Sequence, residues 1–259
     1  MMAISDVFYI SHKKNICHVE SLDAFLRYVN VIMPLINSLS NLTFFVKSTD
    51  ARYLLVNDNL AKRCGMQCVK SIIGKKSEEV YHYDLGLGYS EQDEEVMCKN
   101  RAVVNRLELH SYSSGVLGWC LTTKMPVSLE SGEMVGVVGI SVDLQEERLI
   151  RQNINTKLKL VKNYIDENFC SDIKIKELSS VAEMSTSQLN RYFKDIFQIT
   201  PQQFIQKKRL ELAIDLLRNQ LSITEIAAEC GYSDHSAFSR KFKELTTMSP
   251  TDFKNMMYK

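Results

Sequence analysis

The sequence predicts an α+β chain in two parts: an antiparallel sheet with flanking helices, and an all-α part joined to it by a helical connector. Three observations carry this. Short β-rich runs recur between Phe44 and Val142, with turn formers and helix-like stretches between them. From Leu144 to Phe169 the chain has no Gly or Pro and reads as helix-prone. Beyond it, apolar positions recur in two copies, Ile175 with Ile223 and Leu178 with Ile226, which marks a duplicated supersecondary unit.

At 259 residues the chain exceeds the ~100–200 of one domain, so two are expected. The apolar fraction of 45% and charged fraction of 24% are ordinary for a folded protein and exclude a disordered class. No apolar run approaches the ~18 residues of a membrane span. Met1 to Glu20 lacks the basic-then-apolar layout of a leader. A cytoplasmic protein without a membrane partner is the expectation. Residues 1–150 hold 15 Lys/Arg against 18 Asp/Glu (−3), and residues 151–259 hold 17 against 13 (+4). A basic C-terminal part fits a polyanionic partner at that end alone. Seven scattered cysteines read as reduced thiols, and Cys64 with Cys68 lacks zinc-site spacing, so no metal is expected.

Residues 18–39 place Leu22, Phe25, Leu26, Val29, Met33 and Ile36 at helical spacing, with Pro34 expected to end or bend the helix near Ile32. This stripe packs on its own domain or forms a dimer contact. From Thr43 the period changes: Phe44 to Val46 and Tyr53 to Val56 read as strands around a turn at Ser48 to Asp50. Asn57 to Gly65 reads as a capped short helix stopped by glycine, and a polar helix is expected from Tyr89 to Asn100. Three strands follow, Val103 to Tyr112, Trp119 to Lys124 and Met134 to Val142. The expected bounds are 1–38 for an N-terminal helical segment, 39–145 for the sheet domain, 146–156 for the connector and 157–259 for the all-α domain.

From Leu39 to Gln145 the sequence resembles the PAS sensory domains. The resemblance rests on the order of Phe45 to Lys47, Asp50 with Arg52 and Tyr53, Val56 to Asp58, and Ile73 to Lys75. It continues through Asp93 with Val96, Leu121 to Pro126, Gly136 to Ser141, and Asp143 with Leu144. It implies a pocket for a small molecule or other signal, and dimerisation. The aromatic, glycine-rich stretch Tyr81 to Tyr89 departs from the pattern and leaves the ligand class, and the ligand-binding residues, unassigned. His82 and His110 read as hydrogen-bonding residues rather than haem ligands, and the reactive-cysteine motif of flavin-binding relatives is missing. No cofactor is expected. A domain serving only dimerisation, or docking a partner protein, is the alternative.

In the C-terminal part, the copies align at an offset of 48 before their turns, Ser185 with Ser233, and 49 after them, Leu189 with Phe238 and Phe193 with Phe242. One extra residue is therefore expected at the start of the second copy's second helix, with His235 and Ser236 competing for the place of Ser187. Leu178, Val181, Leu189 and Phe193, then Ile226, Ala227, Phe238 and Phe242, would pack two crossing helices in each copy. That is the physics of a helix-turn-helix, whose second helix offers its outer face to a major groove. Ser185 with Gln188, Thr200 with Gln203, and Ser222 with Glu225 fit capping boxes, and Ser249 precedes Pro250. Between the copies, Pro201 to Arg218 reads as a long helix with Phe204, Ile205, Leu212 and Leu216 as core.

Gly231 to Lys243, followed by Ser249 and Pro250, with Arg209 and Ala213 in the central helix, closely resembles the DNA-binding domain of the AraC/XylS regulators over residues 157–258. The family usually has glycine where this chain has Glu183, Gln198 and Thr247, positions where glycine relieves positive-φ strain. The resemblance implies base-reading residues at Ser187, Gln188, Asn190 and Arg191, and at His235, Ser236, Ser239 and Arg240. Arg suits guanine O6/N7, Asn and Gln suit adenine N6/N7, and Ser suits either. Lys194, Lys241 and Lys243 suit phosphates. The implied protein is a DNA-binding transcription regulator and not an enzyme. A DNA-repair alkyl acceptor would need a cysteine in an electropositive, base-assisted setting, and none of the seven has one. The implied partners are double-stranded DNA, as an asymmetric site over two adjacent major grooves per protomer, a second copy of the chain, RNA polymerase, and a small-molecule ligand in the PAS-like domain.

Overall fold

The computed structural model describes residues 8–11, 16–81, 83–112, 117–144, 156–219 and 221–258. The chain divides into two compact units, Met1–Leu144 and Gln145–Lys259. The expected connector at 146–156 lies outside the described residues except for Thr156, which opens the first helix of the second unit.

The first unit is built on a sheet of seven strands: β1 (Phe8–Ser11), β2 (Ile16–Val19), β3 (Leu42–Lys47), β4 (Tyr53–Val56), β5 (Val103–Ser111), β6 (Leu117–Leu129) and β7 (Met134–Asp143). The order is β1-β2-β6-β7-β3-β4, with β5 also on β6. At 13 residues, β6 is long enough to pair with β5 from Leu117 to Lys124 and with β2 from Val127 to Leu129. The β2–β6 pairing is parallel, so the sheet is mixed and not the antiparallel sheet expected. Residues 1–38 are likewise not simply helical, because the β1–β2 hairpin precedes their helix. Four-residue strands are too short to show a period, and β2 depends on a strand far along the chain.

Helix α1 (Leu22–Asn37) starts at the N-cap Ser21, whose side chain accepts from Ala24 N, and it runs past Pro34. Proline loses the hydrogen bond its N–H would have made and crowds the carbonyl four residues before it, so the helix continues only because other contacts hold it. The last turn closes through Ser38 N on the Pro34 and Leu35 carbonyls, while Met33 and Ile36 pack on the core. The expected stop near Ile32 is thus overridden by packing. Phe25 and Val29 of α1 cover one face of the sheet at Phe44, Val46, Val127 and Val138. Five apolar residues on α1 and just beyond it, Tyr28, Val31, Ile32, Leu35 and Leu39, are exposed.

The opposite face carries α2 (Asp58–Arg63) and α3 (Tyr83–Cys98). Asn57 caps α2 at Leu60 N and also ties it to β3 by accepting from Phe44 N and donating to Leu42 O. Gly65, at φ 69°, stops the helix as expected. Helix α3 begins earlier than the expected Tyr89. Gly86 makes this possible, since a Cβ there would stand 2.4 Å from the Glu78 Cα and the Ser77 carbonyl.

The second unit is all α: α4 (Thr156–Asn168), α5 (Ile175–Ala182), α6 (Thr186–Phe197), α7 (Pro201–Leu217), α8 (Ile223–Glu229), α9 (His235–Thr246) and α10 (Pro250–Met257). The duplication is geometric. Phe193 meets Phe204 edge-on at 5.6 Å and 75°, and Phe242 meets Phe253 at 5.4 Å and 79°. In α7, Phe204 and Ile205 are buried as expected, but Leu212 and Leu216 are only half-buried. Leu210, Ala213, Ile214 and Leu217 fill the core instead. Capping boxes form at Ser185, Thr200 and Ser222.

Glu183, Gln198 and Thr247 all adopt left-handed conformations, with φ of 49°, 64° and 68°. Each closes a helix where glycine would be unstrained, at a cost of about 1 kcal/mol. Gln198→Gly is expected to raise the stability of the second unit by about 0.5–1 kcal/mol, with no gain from Gln198→Ala. Urea unfolding followed by far-ultraviolet circular dichroism checks both.

Candidate functional site

The outer helices α6 and α9 present the residues singled out in the sequence. Ser187, Gln188, Arg191 and Lys194 are exposed on α6, with Asn190 half-buried. His235, Ser236, Arg240 and Lys243 are exposed on α9, with Ser239 and Lys241 half-buried. Leu189 and Phe193, and Phe238 and Phe242, are buried on the inner sides.

The two helices start in register, and the extra residue expected at the start of α9 falls just before its first turn. It lies in the turn before α9, where Asp234 serves as N-cap, its side chain accepting from Ala237 N at 2.7 Å. Thr186 and His235 therefore hold the first helical position, and Ser187 and Ser236 hold the second. Ser236 alone occupies the place of Ser187. Sequence alignment matched Ser185 to Ser233 because both are serines, whereas the cap geometry matches Ser185 to Asp234.

Several of these side chains already have partners. The Gln188 amide oxygen accepts from Ser185 N at 3.1 Å and from the Ser185 hydroxyl at 3.0 Å, so only its amide N–H groups face outward uncommitted. A bidentate contact to adenine would need that oxygen released. Arg191 donates to the Tyr192 hydroxyl at 3.0 Å and lies 4.8 Å from that ring's centre. Lys241 pairs with Glu244, which weakens its phosphate assignment. The exposed Asp234 carboxyl is held below its usual range by Ala237 N, then by the Ser233 hydroxyl, with Arg240 contributing.

Arg209 of α7 is a structural residue. Its Nε donates to Phe169 O at 2.7 Å, its Nη2 donates to Ser171 O at 2.8 Å, and the guanidinium lies 5.2 Å from the Tyr232 ring centre. It thus joins the end of α4 to the turn between α8 and α9. At that turn Gly231 has φ 75°, and a Cβ there would meet the Cys170 carbonyl at 1.9 Å.

The first unit holds a second constellation that sequence reading did not assemble. On the sheet face away from α1, alternate residues point into a small cavity: Thr43, Phe45 and Lys47 of β3, Glu108 and His110 of β5, Thr122 and Lys124 of β6. Tyr89 and Asp93 of α3 close it, and its volume is about 20 Å³. Both carboxylate oxygens of Asp93 are taken by ammonium groups, one by Lys47 and the other by Lys124 at 2.6 Å, and all three side chains are buried. Lys47 also donates to Ser77 Oγ at 2.6 Å, and Lys124 to Gln92 Oε1 at 3.0 Å. Burial pushes the Asp93 carboxyl up, but the two lysines outweigh it and hold it below its usual value. Glu108 behaves alike: burial raises it, while His110, Lys124 and Arg106 bring it down to about 2.

Arg63, paired with Asp143, lies with Nη1 3.0 Å from His110 Nδ1. A guanidinium only donates, so this contact favours Nδ1 as acceptor and the ring proton on Nε2, 3.3 Å from Glu108. Burial and Arg63 lower the imidazole pKa, while Cys120 and Glu108 outweigh them and raise it to about 9. Glu108, His110 and Cys120 bring three metal-ligand atoms within 4.8 Å of one another. Arg63, Arg106 and Lys124 stand in or beside that group, so a divalent cation would enter among fixed positive charges. The signal for the cavity was the period-2 recurrence of polar residues at 43 and 47 around Phe45, at 108 and 110, and at 122 and 124.

Residues 178–256 match the family described as helix-turn-helix domain, and residues 36–149 the family described as PAS fold. The probable transcriptional regulator LumQ of Photobacterium leiognathi is 41% identical over 95 residues, 36% of this chain and 38% of that protein. The transcriptional activator RhaS of Escherichia coli is 30% identical over 104 residues, 40% of this chain and 37% of that protein. The chain thus spans about two fifths of the length of these curated relatives. Among solved structures, the C-terminal domain of AraT, a response regulator from Geobacillus stearothermophilus, is 26% identical with a TM-score of 0.39, covering 40% of this chain and 88% of that one. The chain joins a mixed-sheet PAS-like domain to a mostly helical double helix-turn-helix domain. Among the described residues, no helix is long and apolar enough to cross a membrane.

Arg209→Ala is expected to destabilise the second unit by about 2–3 kcal/mol, since both charge-assisted hydrogen bonds to carbonyls are lost. Arg209→Lys recovers only part of this, because a lysine cannot bridge both carbonyls. Urea unfolding measures the two. Glu108 ionises with a folded pKa of about 2 against an ordinary 4.5. Its contribution is complete above the ordinary value and lost as pH falls through the folded one. The first unit should therefore lose stability between about pH 4.5 and 2, less steeply in Glu108→Gln. Fluorescence of Trp119, the chain's one tryptophan and a residue of this unit, reports it.

Proposed function

We propose that the chain is a sequence-specific DNA-binding transcription regulator of the AraC/XylS kind, whose PAS-like domain senses a small molecule or other signal. The observation that carries this is the pair of helix-turn-helix units. Their outer helices start in register and expose Ser187, Gln188 and Arg191 in one head, and His235, Ser236 and Arg240 in the other. Residues 39–145 serve as the sensing domain and 157–259 as the reader. Arg191 and Arg240 suit guanine, Asn190 suits adenine, and Ser187, Ser236 and Ser239 suit either. Lys194 and Lys243 suit phosphates, which set orientation without reading sequence.

The heads differ at equivalent places: Gln188 against Ala237, and Asn190 against Ser239. One protomer therefore favours an asymmetric site over two adjacent major grooves. The exposed stripe of Tyr28, Val31, Ile32, Leu35 and Leu39 supports a homodimer formed through α1, which doubles that site. Signal binding acts by differential affinity for the DNA-competent arrangement.

Arg191→Ala and Arg240→Ala are each expected to lose ~1–3 kcal/mol of discrimination, at different base positions. Lys194→Ala should weaken binding evenly across sequences and lower the salt slope by about 1. Footprinting on a duplex selected from a random pool measures all three. Unchanged footprints in both arginine variants would remove the assigned reading positions.

A further inference from the structure

We infer that Tyr192 is a positioning residue for sequence reading, holding the Arg191 guanidinium ready for guanine in the first head. The inference rests on the DNA-reading role proposed above for α6 and adds a residue which that reading left out. Helix α6 buries Leu189 and Phe193, and Arg191 is exposed on the side turned away from them. Tyr192, the next residue, borders that side and is 38% exposed. Two separate contacts join the pair. Arg191 Nη2 donates to the Tyr192 hydroxyl at 3.0 Å, and the guanidinium carbon lies 4.8 Å from the ring centre. One is a hydrogen bond from a charged donor, and the other sets a cation beside an aromatic ring. An arginine stem is long and has many rotamers, so losing that freedom opposes binding. Contacts that restrict it beforehand remove part of this cost.

The contact leaves the arginine able to read. Bidentate recognition of guanine needs two parallel N–H groups, one for O6 and one for N7. Nη2 belongs to both paired edges of a guanidinium, toward Nη1 and toward Nε, and carries one hydrogen on each. Donation of one of them to Tyr192 therefore leaves the other edge complete. Gln188 is the opposite case, since its own cap takes the oxygen that adenine would need. The second head is built differently. Counted from the helix starts, Arg191 and Arg240 match, and Lys241 stands where α6 has Tyr192. A lysine repels a guanidinium, and Lys241 pairs with Glu244 instead. The two arginines are alike in type and place but unlike in support. Sharper guanine preference is expected from the first head.

The test is selection from a random duplex pool with the full chain and four variants: Tyr192→Phe, Tyr192→Leu, Arg191→Ala, and Arg191→Ala combined with Tyr192→Phe. Base preference at each position and the salt dependence of affinity are the readouts. The base position that relaxes in Arg191→Ala is the one Arg191 reads. Tyr192→Phe removes the hydroxyl and keeps the ring, whereas Tyr192→Leu removes both. Guanine preference at that position should fall about threefold in Tyr192→Phe and about tenfold in Tyr192→Leu. Preferences at the second head's positions and the salt slope should stay as they are, whereas a merely structural loss would weaken every position alike. With Arg191→Ala already present, Tyr192→Phe should change nothing further, because its effect passes through the arginine. Undiminished guanine preference in both Tyr192 variants would overturn the positioning role. So would a lower salt slope in Tyr192→Phe, which marks a phosphate contact, or an equal effect of Tyr192→Phe with and without Arg191, which marks a base contact of its own. Base preferences untouched by Arg191→Ala itself would instead overturn the reading role of α6, and the positioning role with it.

Discussion

One buried carboxylate organises the first unit. Asp93 takes an ammonium group on each oxygen, and in doing so ties α3 to β3 through Lys47 and to β6 through Lys124. Removing one member of a buried ion pair typically costs about 3–5 kcal/mol, because the remaining charge stays out of water. The helix is therefore fixed over a sheet face lined with polar groups, and Gly86 lets it approach the turn at Ser77 and Glu78. On the other face, α1 packs through Phe25 and Val29 on Phe44, Val46, Val127 and Val138. The same sheet thus has a conventional core on one side and a charge-filled interior on the other.

The second unit is held by repetition instead. The edge-on phenylalanine pairs recur in both copies almost unchanged, while Phe197 of the first copy is replaced by Thr246 in the second. The copies diverge at their polar residues. Gln188 is drawn into its own helix cap, whereas Ala237 at the matching place has nothing to offer a base. Arg209 ties the second turn to two carbonyls after α4. Shared packing with different outer faces allows one scaffold to read two unlike sequences.

What was legible in the sequence was local. Caps at Asn57, Ser185, Thr200 and Ser222 depend on residues three apart, and each formed. The left-handed helix ends at Glu183, Gln198 and Thr247 could be placed because the family resemblance puts glycine there. Three long strands and the apolar stripe of α1 showed their periods plainly. What failed was set by distant partners. The β1–β2 hairpin is justified by β6, the run of α1 past Pro34 by the core beneath Met33 and Ile36, and the cavity by residues on five strands and two helices. The register of α9 was missed for another reason. Matching like residues favoured Ser233, whereas the chain uses Asp234 as the cap.

That choice of cap alters the field at the second head. A helix start carries a partial positive charge from its free N–H groups, worth roughly half an elementary charge. At α6 this is capped by the neutral hydroxyl of Ser185 and remains outwardly positive. At α9 the ionised Asp234 offsets it, with Arg240 of the same helix acting on that carboxylate. The two helix mouths therefore differ in charge although their packing is shared.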